Sequence, residues 1–362
     1  MVKAHKYSWY CYLSHLCRIL FAVTFIVSGF LKAIDPWGTI LSMRNYLVAY
    51  DVTAPEWLVT SFSIALGGFE LLLGCMLLLK LAPRLTSVVA MMLMPIFTII
   101  TLLSATIVPI EDCGCFGELI KLTPWQSFSK NVALLLMAIC FWAYHRKESY
   151  SLSRKELLAT FVLMVLTMGL GLYSYCHLPL IDTLPYKKGV NIAEGMSHAR
   201  SEQNSEKVVL IYRNITTNEV REFSVEDTEW QNDSLWSWVD TRVEKLQSGS
   251  DASLLEFYVS DSEGDKTAEV LSAEKIYLLF MAKSDICDDV RGRFELAENQ
   301  AERCGAALVY VTPEDISKVE SKYPILNMDS KTMKTILRAD YGLVVLEKGV
   351  IADKRNYRDI NF

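Results

Sequence analysis

Cys113-Gly114-Cys115 is the place in this sequence where two thiols stand two residues apart. In an extended chain such residues lie about 7 Å apart, at or beyond the Cα separation that a disulfide accepts. The backbone must bend to close the ring, and Gly114 permits that bend. A bridge closed in this way is strained and easily reduced, as labile disulfides are. Three chemistries are open to the pair: a redox-active dithiol, a permanent structural clip (within the pair or to another outer cysteine), or half of a metal site. No histidine stands nearby to complete a tetrahedral zinc set, so no metal is expected. The acidic neighbours Glu111, Asp112 and Glu118 raise thiol pKa values and work against a strongly activated nucleophile.

The elements that must hold this pair are apolar. Half of the 362 residues are hydrophobic (51%), and the long apolar runs are gathered in the first half of the chain. Five of them, Leu13–Ile34, Trp57–Lys80, Leu85–Val108, Phe128–Tyr144 and Leu157–His177, approach or exceed the roughly 20 residues a helix needs to cross a hydrocarbon core. Helices are expected, because they satisfy every backbone group in lipid. The first run carries Lys32 and Asp35-Pro36 rather than a small-residue cleavage site, so it reads as a span and not as a signal peptide. Lys3 and Lys6, then Lys80 and Arg84, then Arg146, Lys147, Arg154 and Lys155 fall on one side, which marks that side as cytoplasmic. The 109–126 loop and everything after about residue 178 are then expected outside, with Lys32 and Arg44 as mild exceptions.

This topology sorts the nine cysteines. Cys11, Cys17, Cys75 and Cys140 read as small packing residues of the helices. Cys113, Cys115, Cys287 and Cys304 fall on the oxidising side, with Cys176 at the outer end of the fifth run. Cys287 and Cys176 are the resolving or auxiliary thiols to consider, and Cys304 reads as buried core. Glu70 lies near the middle of the second run, where an ionised carboxylate costs several kcal/mol unless paired. Arg18 of the first run is the expected partner, whether the pair serves helix packing or a proton or quinone site. Lys32 and Asp35 are expected at the outer interface, explained by snorkelling. Gly67, Gly68 and Gly74 suit close helix contact.

The second half has ordinary soluble composition. Leu180 to about Asn204 reads as a linker, Val208–Arg213 as a strand, and a Trp-rich polar segment follows with Trp230, Trp236 and Trp238. Leu254–Val259, Ile276–Ala282 and Ala306–Thr312 read as strands, with a turn at Gly264. Val290–Arg303 and Ser330–Ala339 read as helices, and Gly342–Leu346 with Val350–Asp353 as a hairpin about Lys348-Gly349. A net charge of −6 without a basic stripe argues against nucleic acid.

Phe25-Ile-Val-Ser-Gly-Phe-Leu-Lys-Ala-Ile-Asp-Pro36, Gly67-Gly-Phe-Glu-Leu-Leu-Leu-Gly74 and Asp112-Cys-Gly-Cys-Phe-Gly117 together resemble the MauE/DoxX membrane family over about residues 14–146. That resemblance implies a four-helix membrane bundle tied to thiol redox or electron transfer. MauE is connected with maturation of methylamine dehydrogenase, and DoxX with a quinone-reducing sulfur enzyme. The added fifth helix and outer domain resemble the arrangement of Bacteroidetes members. The outer domain is also similar to thioredoxin-like proteins: Leu255–Gly264 to their opening strand and turn, Ile276–Ala282 to the strand that leads to the active site. Where that family has Cys-x-x-Cys, this chain has Lys283-Ser-Asp-Ile-Cys287-Asp-Asp289, and Asp340-Tyr341-Gly342 replaces the usual proline.

The expected architecture is therefore an all-α membrane bundle over 1–147, a fifth transmembrane helix over 148–180, a linking region over 181–253 and a thioredoxin-like α/β domain over 254–362. The expected protein sits in a bacterial inner membrane with its C-terminal domain periplasmic. Cys113 and Cys115 exchange electrons or disulfides with a periplasmic protein or a membrane quinone. The alternative is a non-catalytic anchor or scaffold whose degenerate thioredoxin-like domain binds a partner.

Overall fold

The computed structural model describes residues 2–107, 122–146, 153–182, 184–203, 207–224, 227–232, 234–244, 254–313 and 321–362. Among these, five helices are long and apolar enough to cross a membrane. They are α1 (Val2–Ile34), α3 (Glu56–Leu78), α4 (Pro83–Thr106), α5 (Pro124–His145) and α6 (Arg154–Cys176). Their starts follow local chemistry. Pro83 and Pro124 occupy first-turn positions, where the missing N–H costs nothing. Thr123 with Gln126 and Ser153 with Glu156 form reciprocal capping boxes at α5 and α6.

Between the first two spans lies a helix absent from the sequence expectations, α2 (Pro36–Ala49). It is too short to cross a bilayer, so hydropathy passes over it. Its start is nonetheless encoded. Asp35 accepts a hydrogen bond from the Gly38 N–H at 3.0 Å, and Pro36 follows the cap.

The bundle is organised around antiparallel contact of α1 with α3. A Cβ added at Gly74 would lie 2.8 Å from the Ile26 nitrogen, and one at Gly67 would lie 3.0 Å from the Lys32 Cβ. At Gly29 it would collide with the backbone of Leu71. These glycines let two backbones approach where lipid offers no hydrophobic drive for association. Below them Phe21, Phe25, Leu73, Leu77, Met94, Leu134 and Phe141 form the apolar core of α1, α3, α4 and α5.

The second half is a mixed α/β unit. The stretch 180–204 is more than a linker, since Ile192–Gln203 forms α7, and Tyr186 and Ile192 are fully buried in the domain core. Strands β1 (Lys207–Asn214), β2 (Val220–Ser224) and β3 (Trp236–Glu244) make a three-stranded antiparallel sheet in the order β2-β1-β3. The Trp-rich segment thus supplies a strand, with Trp236 edge-on to Phe223 at 4.8 Å.

A larger sheet combines β4 (Ser260–Asp261), β5 (Gly264–Asp265), β6 (Ile276–Met281), β7 (Ala307–Thr312), β8 (Ile325–Asn327), β9 (Tyr341–Glu347) and β10 (Val350–Asn356). Its order is β10-β9-β6-β7-β8-β4-β5. The β6-β7-β8 pairs are parallel, and β9 runs antiparallel to β6. Leu254–Val259 is not a strand: residues 254–256 form a 3-10 turn, and Leu254, Phe257 and Val259 are buried without pairing in the sheet. Their apolar run serves a packed loop, which periodicity alone does not distinguish from a strand.

Every residue of β6 is buried, as expected of a strand covered on both faces. A short helix, α8 (Thr267–Ser272), leads into β6, and helix α9 (Asp288–Cys304) covers one face with Val290, Phe294, Ala297 and Ala301. Helix α10 (Ser330–Leu337), with Tyr186 and Ile192, covers the other. Lys348 and Gly349 both take positive φ, 50° and 79°, as a tight hairpin turn between twisted strands requires.

Gly74→Leu is expected to push α1 from α3 and lower stability by about 1–3 kcal/mol, the usual cost of overpacking. Unfolding of the full chain in detergent, compared with the exposed-site control Leu136→Val, measures it.

Candidate functional site

The α1–α3 contact positions a charged pair inside the bundle. Ser28 and Lys32 lie one turn apart on α1 and face Glu70 on α3. The Lys32 Nζ lies 2.6 and 2.7 Å from the two Glu70 carboxylate oxygens. The Ser28 hydroxyl donates to the same carboxylate at 2.8 Å, and Lys32 also reaches the Ser28 Oγ at 3.3 Å. Side-chain exposure is 8% for Lys32 and 2% for Glu70. The ammonium is neutralised by the carboxylate, which is how two charges persist at such depth.

Two sequence expectations are corrected here. Glu70 does not pair with Arg18. The Arg18 guanidinium donates to the carbonyls of Leu77 and Leu78 at the C-terminal end of α3. That end carries free carbonyls and negative dipole charge, a natural seat for a cation. The antiparallel register sets Arg18 against residues 77–78 and Lys32 against residue 70. Fourteen residues of helix separate the two cations, about 21 Å. Nor is Lys32 a snorkelling surface lysine, being 7% exposed and bonded to Glu70 of α3 and Ser28 of α1. The spacing Ser28-x-x-x-Lys32, read with Gly67 one turn before Glu70, carried the signal.

The pair forms part of the wall of a cavity of about 410 Å³. Thr24, Phe25, Ser28 and Lys32 of α1 line it, with Thr39, Ser42, Met43, Tyr46 and Leu47 of α2, Phe62, Leu66 and Glu70 of α3, and residues of α4 and α5. On its far side the Asn131 amide of α5 donates to the Thr101 hydroxyl at 3.2 Å and the Phe97 carbonyl at 3.3 Å, tying α5 to α4. Cys113, Gly114 and Cys115 lie outside the described residues. The chain that carries them leaves α4 at Ile107 and rejoins the described structure at Leu122, just before α5. Thr101 and Asn131, each about two turns from those points, both line the cavity.

The remaining thiols are distributed as follows. Cys11 lies 3.2 Å from the Tyr144 hydroxyl, between α1 and α5. Cys17, Cys75 and Cys140 are half-buried within the bundle. Cys304 is exposed at the end of α9, 3.4 Å from the Gln300 amide, and is not a core residue. It sits on the solvent side of an amphipathic helix whose inward face is taken by Phe294, Ala297 and Ala301. Cys287 is the exposed N-cap residue of α9, and Cys176 is the last residue of α6. Both stand near Tyr357. Burial pushes that hydroxyl up, Arg358 opposes the rise, and the two thiols add to it. Among the described residues no cluster has the make-up of a metal site.

A second charged cluster joins the domain to the bundle. Lys283, directly after β6, lies 2.8 Å from Asp340 and 3.3 Å from Glu56 of α3. Arg44 of α2 reaches Glu56 at 2.6 Å. Lys334 of α10 lies 3.5 Å from Asp340 and over the Trp37 ring, which stacks on Tyr175 of α6 at 5.3 Å. Arg338, fully buried and in a left-handed conformation, sits 3.3 Å from Asp35. Asp35 is thus a helix cap and an ion-pair partner, not a residue explained by snorkelling. Burial works to lower the Lys283 pKa, but the hydrogen bond and charge of Asp340, with the charge of Glu56, raise it overall. Lys354, paired with Asp182 at 2.6 Å, is held below the usual lysine range, chiefly by burial.

These features meet in a recognisable membrane domain. Residues 10–144, from α1 to the end of α5, match the family described as Methylamine utilisation protein MauE. Protein TlpB of Flavobacterium psychrophilum is 31% identical over 137 residues, which cover 36% of this chain. The match spans 37% of that relative's length. No solved structure matches the chain.

Glu70→Leu is expected to destabilise the chain by about 3–5 kcal/mol by stranding the Lys32 ammonium, whereas Glu70→Leu with Lys32→Leu regains most of that loss. A double-mutant cycle on thermal unfolding in lipid nanodiscs reads the coupling. At the domain joint, the Lys283 contribution is full below the usual lysine value of 10.5 and is lost as pH rises through its higher folded value. Accessibility of the joint to protease should therefore rise above that pH in the parent and be less pH-dependent in Lys283→Met.

Proposed function

We propose that this chain is a thiol-redox protein of the bacterial inner membrane, in which Cys113 and Cys115 exchange electrons or disulfides with a periplasmic protein or a membrane quinone. The carrying observation is the cavity. A lipid-embedded space with one neutralised charge pair lies among the helices from which the Cys-Gly-Cys segment departs and to which it returns. The match of residues 10–144 to MauE, a family named for methylamine utilisation, favours a redox-associated role. Lysine and arginine distribution favours the periplasmic side for that segment.

The chemistry balances in either form. A dithiol passes two electrons and two protons to a quinone, giving a disulfide and a hydroquinone. Alternatively, a thiolate attacks a partner disulfide, and the second thiol resolves the mixed disulfide.

The C-terminal domain supports a positioning role. Its order β10-β9-β6-β7, with β6 and β7 parallel and β9 antiparallel to β6, agrees with a thioredoxin-like core. In such a core the segment after β6 would carry the dithiol. Here it holds Lys283 and a single thiol, Cys287, and Lys283 is engaged with Glu56 of the bundle. That engagement favours a second reading, in which the chain is a scaffold and its degenerate domain a binding module.

Alkylation with a mass tag in intact cells separates the two. The redox reading expects the Cys113/Cys115 pair to shift between tagged and untagged forms when quinone reduction or periplasmic thiols are perturbed. A pair that stays oxidised under mild reductant, with Cys113→Ser fully functional, would sink it.

A further inference from the structure

Two of the thiols inside the bundle touch. Cys17 of α1 and Cys140 of α5 are hydrogen-bonded to each other across the seam where the two helices pack. Both are half-buried and in the thiol form. Cys17 packs against the apolar core that holds Phe21, Ala138 and Phe141. A packing role asks only for small apolar volume and does not need two thiols in register on separate helices. Helix contact and thiol contact are already made, so closing an S–S bond of about 2.05 Å asks for side-chain rotation rather than new packing.

The surroundings of the pair are polar, and polar groups at such depth mark pathways or partners. Ser14, one turn from Cys17, is fully buried, and its Oγ has no hydrogen-bond partner among the described residues. A buried hydroxyl left dry is costly, which points to water beside the pair. Toward the end of the bundle, the Tyr144 ring meets His15 edge-on at 5.8 Å and His145 at 5.0 Å, and the two imidazoles stack at 6.5 Å. The Tyr144 hydroxyl lies 3.2 Å from a third thiol, Cys11, and the Tyr10 hydroxyl donates to the Cys140 carbonyl at 3.2 Å. These side chains set proton carriers between the pair and the bundle end. Arg84, Arg146 and Arg154 gather at that end, so it is the one expected to face the cytoplasm. The segment carrying Cys113 and Cys115 joins α5 at the opposite end: Cys140 lies 17 residues, about 25 Å, along the helix from the Thr123 cap.

We propose that Cys17 and Cys140 are a second redox-active dithiol, set in the inner end of the bundle, whose disulfide is reduced by a dithiol protein of the cytoplasm. A partner thiolate attacks one sulfur of the Cys17–Cys140 disulfide, that S–S bond breaks, and a mixed disulfide forms. The partner's second thiol then displaces the bundle sulfur. The partner leaves as a disulfide, and Cys17 and Cys140 have gained two electrons and two protons. His15, Tyr144 and His145 are placed to carry the protons. The proposal rests on the redox reading for its setting and names an electron donor for it, while the site itself stands on the Cys17–Cys140 contact.

The test uses the full chain in phosphatidylethanolamine/phosphatidylglycerol nanodiscs, which leave both faces accessible. Diamide oxidises the thiols, mass-tag alkylation counts those that remain, and peptide mass spectrometry maps the bridges. A Cys17–Cys140 bridge is expected to close. Thioredoxin with its reductase and NADPH should reopen it at least about ten-fold faster than glutathione at the same concentration. Thioredoxin lacking its resolving cysteine should be captured on Cys17 or Cys140 of the closed chain. Cys75→Ser, on α3, should leave the cycle unchanged. Diamide that leaves both thiols unbridged overturns the proposal, and so does a bridge that glutathione reopens as fast as thioredoxin does. The double variant Cys113→Ser/Cys115→Ser is expected to cycle normally at the inner pair. An inner pair that cycles beside Cys113 and Cys115 that stay oxidised under mild reductant keeps this site and overturns the outer redox reading. An inner pair that never closes, beside outer thiols that respond to a periplasmic protein, does the reverse.

Discussion

Neutralising one carboxylate at depth governs the arrangement of the bundle. Glu70 can stay ionised in a low-dielectric interior only if a cation and a hydroxyl meet it at hydrogen-bond distance. Lys32 and Ser28 meet it because α1 and α3 approach closely, and they approach because Gly29, Gly67 and Gly74 remove the side chains that would hold them apart. The same register leaves Arg18 at the C-terminal end of α3, where exposed carbonyls receive it. One antiparallel contact thus settles two intramembrane charges and one wall of the cavity.

The other walls follow from how the chain leaves that contact. Directly after Lys32, the Asp35 cap and Pro36 turn the chain into α2, which supplies Thr39, Ser42, Met43, Tyr46 and Leu47 to the cavity. Asp35 also receives Arg338 from the C-terminal domain. The position of α2 is therefore coupled to the docking of that domain, three residues from the Lys32–Glu70 pair. Within the domain, Arg338 occupies a left-handed position at the end of α10 that aims the chain toward β9.

Much of this was legible in the sequence, and the failures have physical causes. Spans were visible because 20-residue apolar runs have few other uses. Strands β6, β7 and β9 were visible because buried strands are continuous apolar runs bounded by turn residues, and β10 because it follows the Lys348-Gly349 turn. Leu254–Val259 has the same composition but folds as a packed loop, since burial alone does not specify pairing. Helix α2 escaped because its signals are a cap and a proline, not hydropathy. The Glu70 partner was misassigned for a different reason. Choosing between Arg18 and Lys32 requires the register of two helices, and that register is written in glycines whose effect appears only when both backbones are placed together. The joint formed by Lys283, Lys334, Arg338, Asp35, Glu56 and Asp340 joins residues hundreds of positions apart, so no local pattern announces it.

That joint has an evolutionary consequence. The two halves share charges unequally: Lys283 and Glu56 also have partners in their own halves, Asp340 and Arg44, whereas Arg338 of the domain is fully buried against Asp35 at the start of α2. A gene fusion that replaced the membrane half with an unrelated segment would remove the carboxylate that faces the buried Arg338. Successful shuffling must carry Asp35 together with Arg338, so the two halves are expected to be inherited as one linked unit.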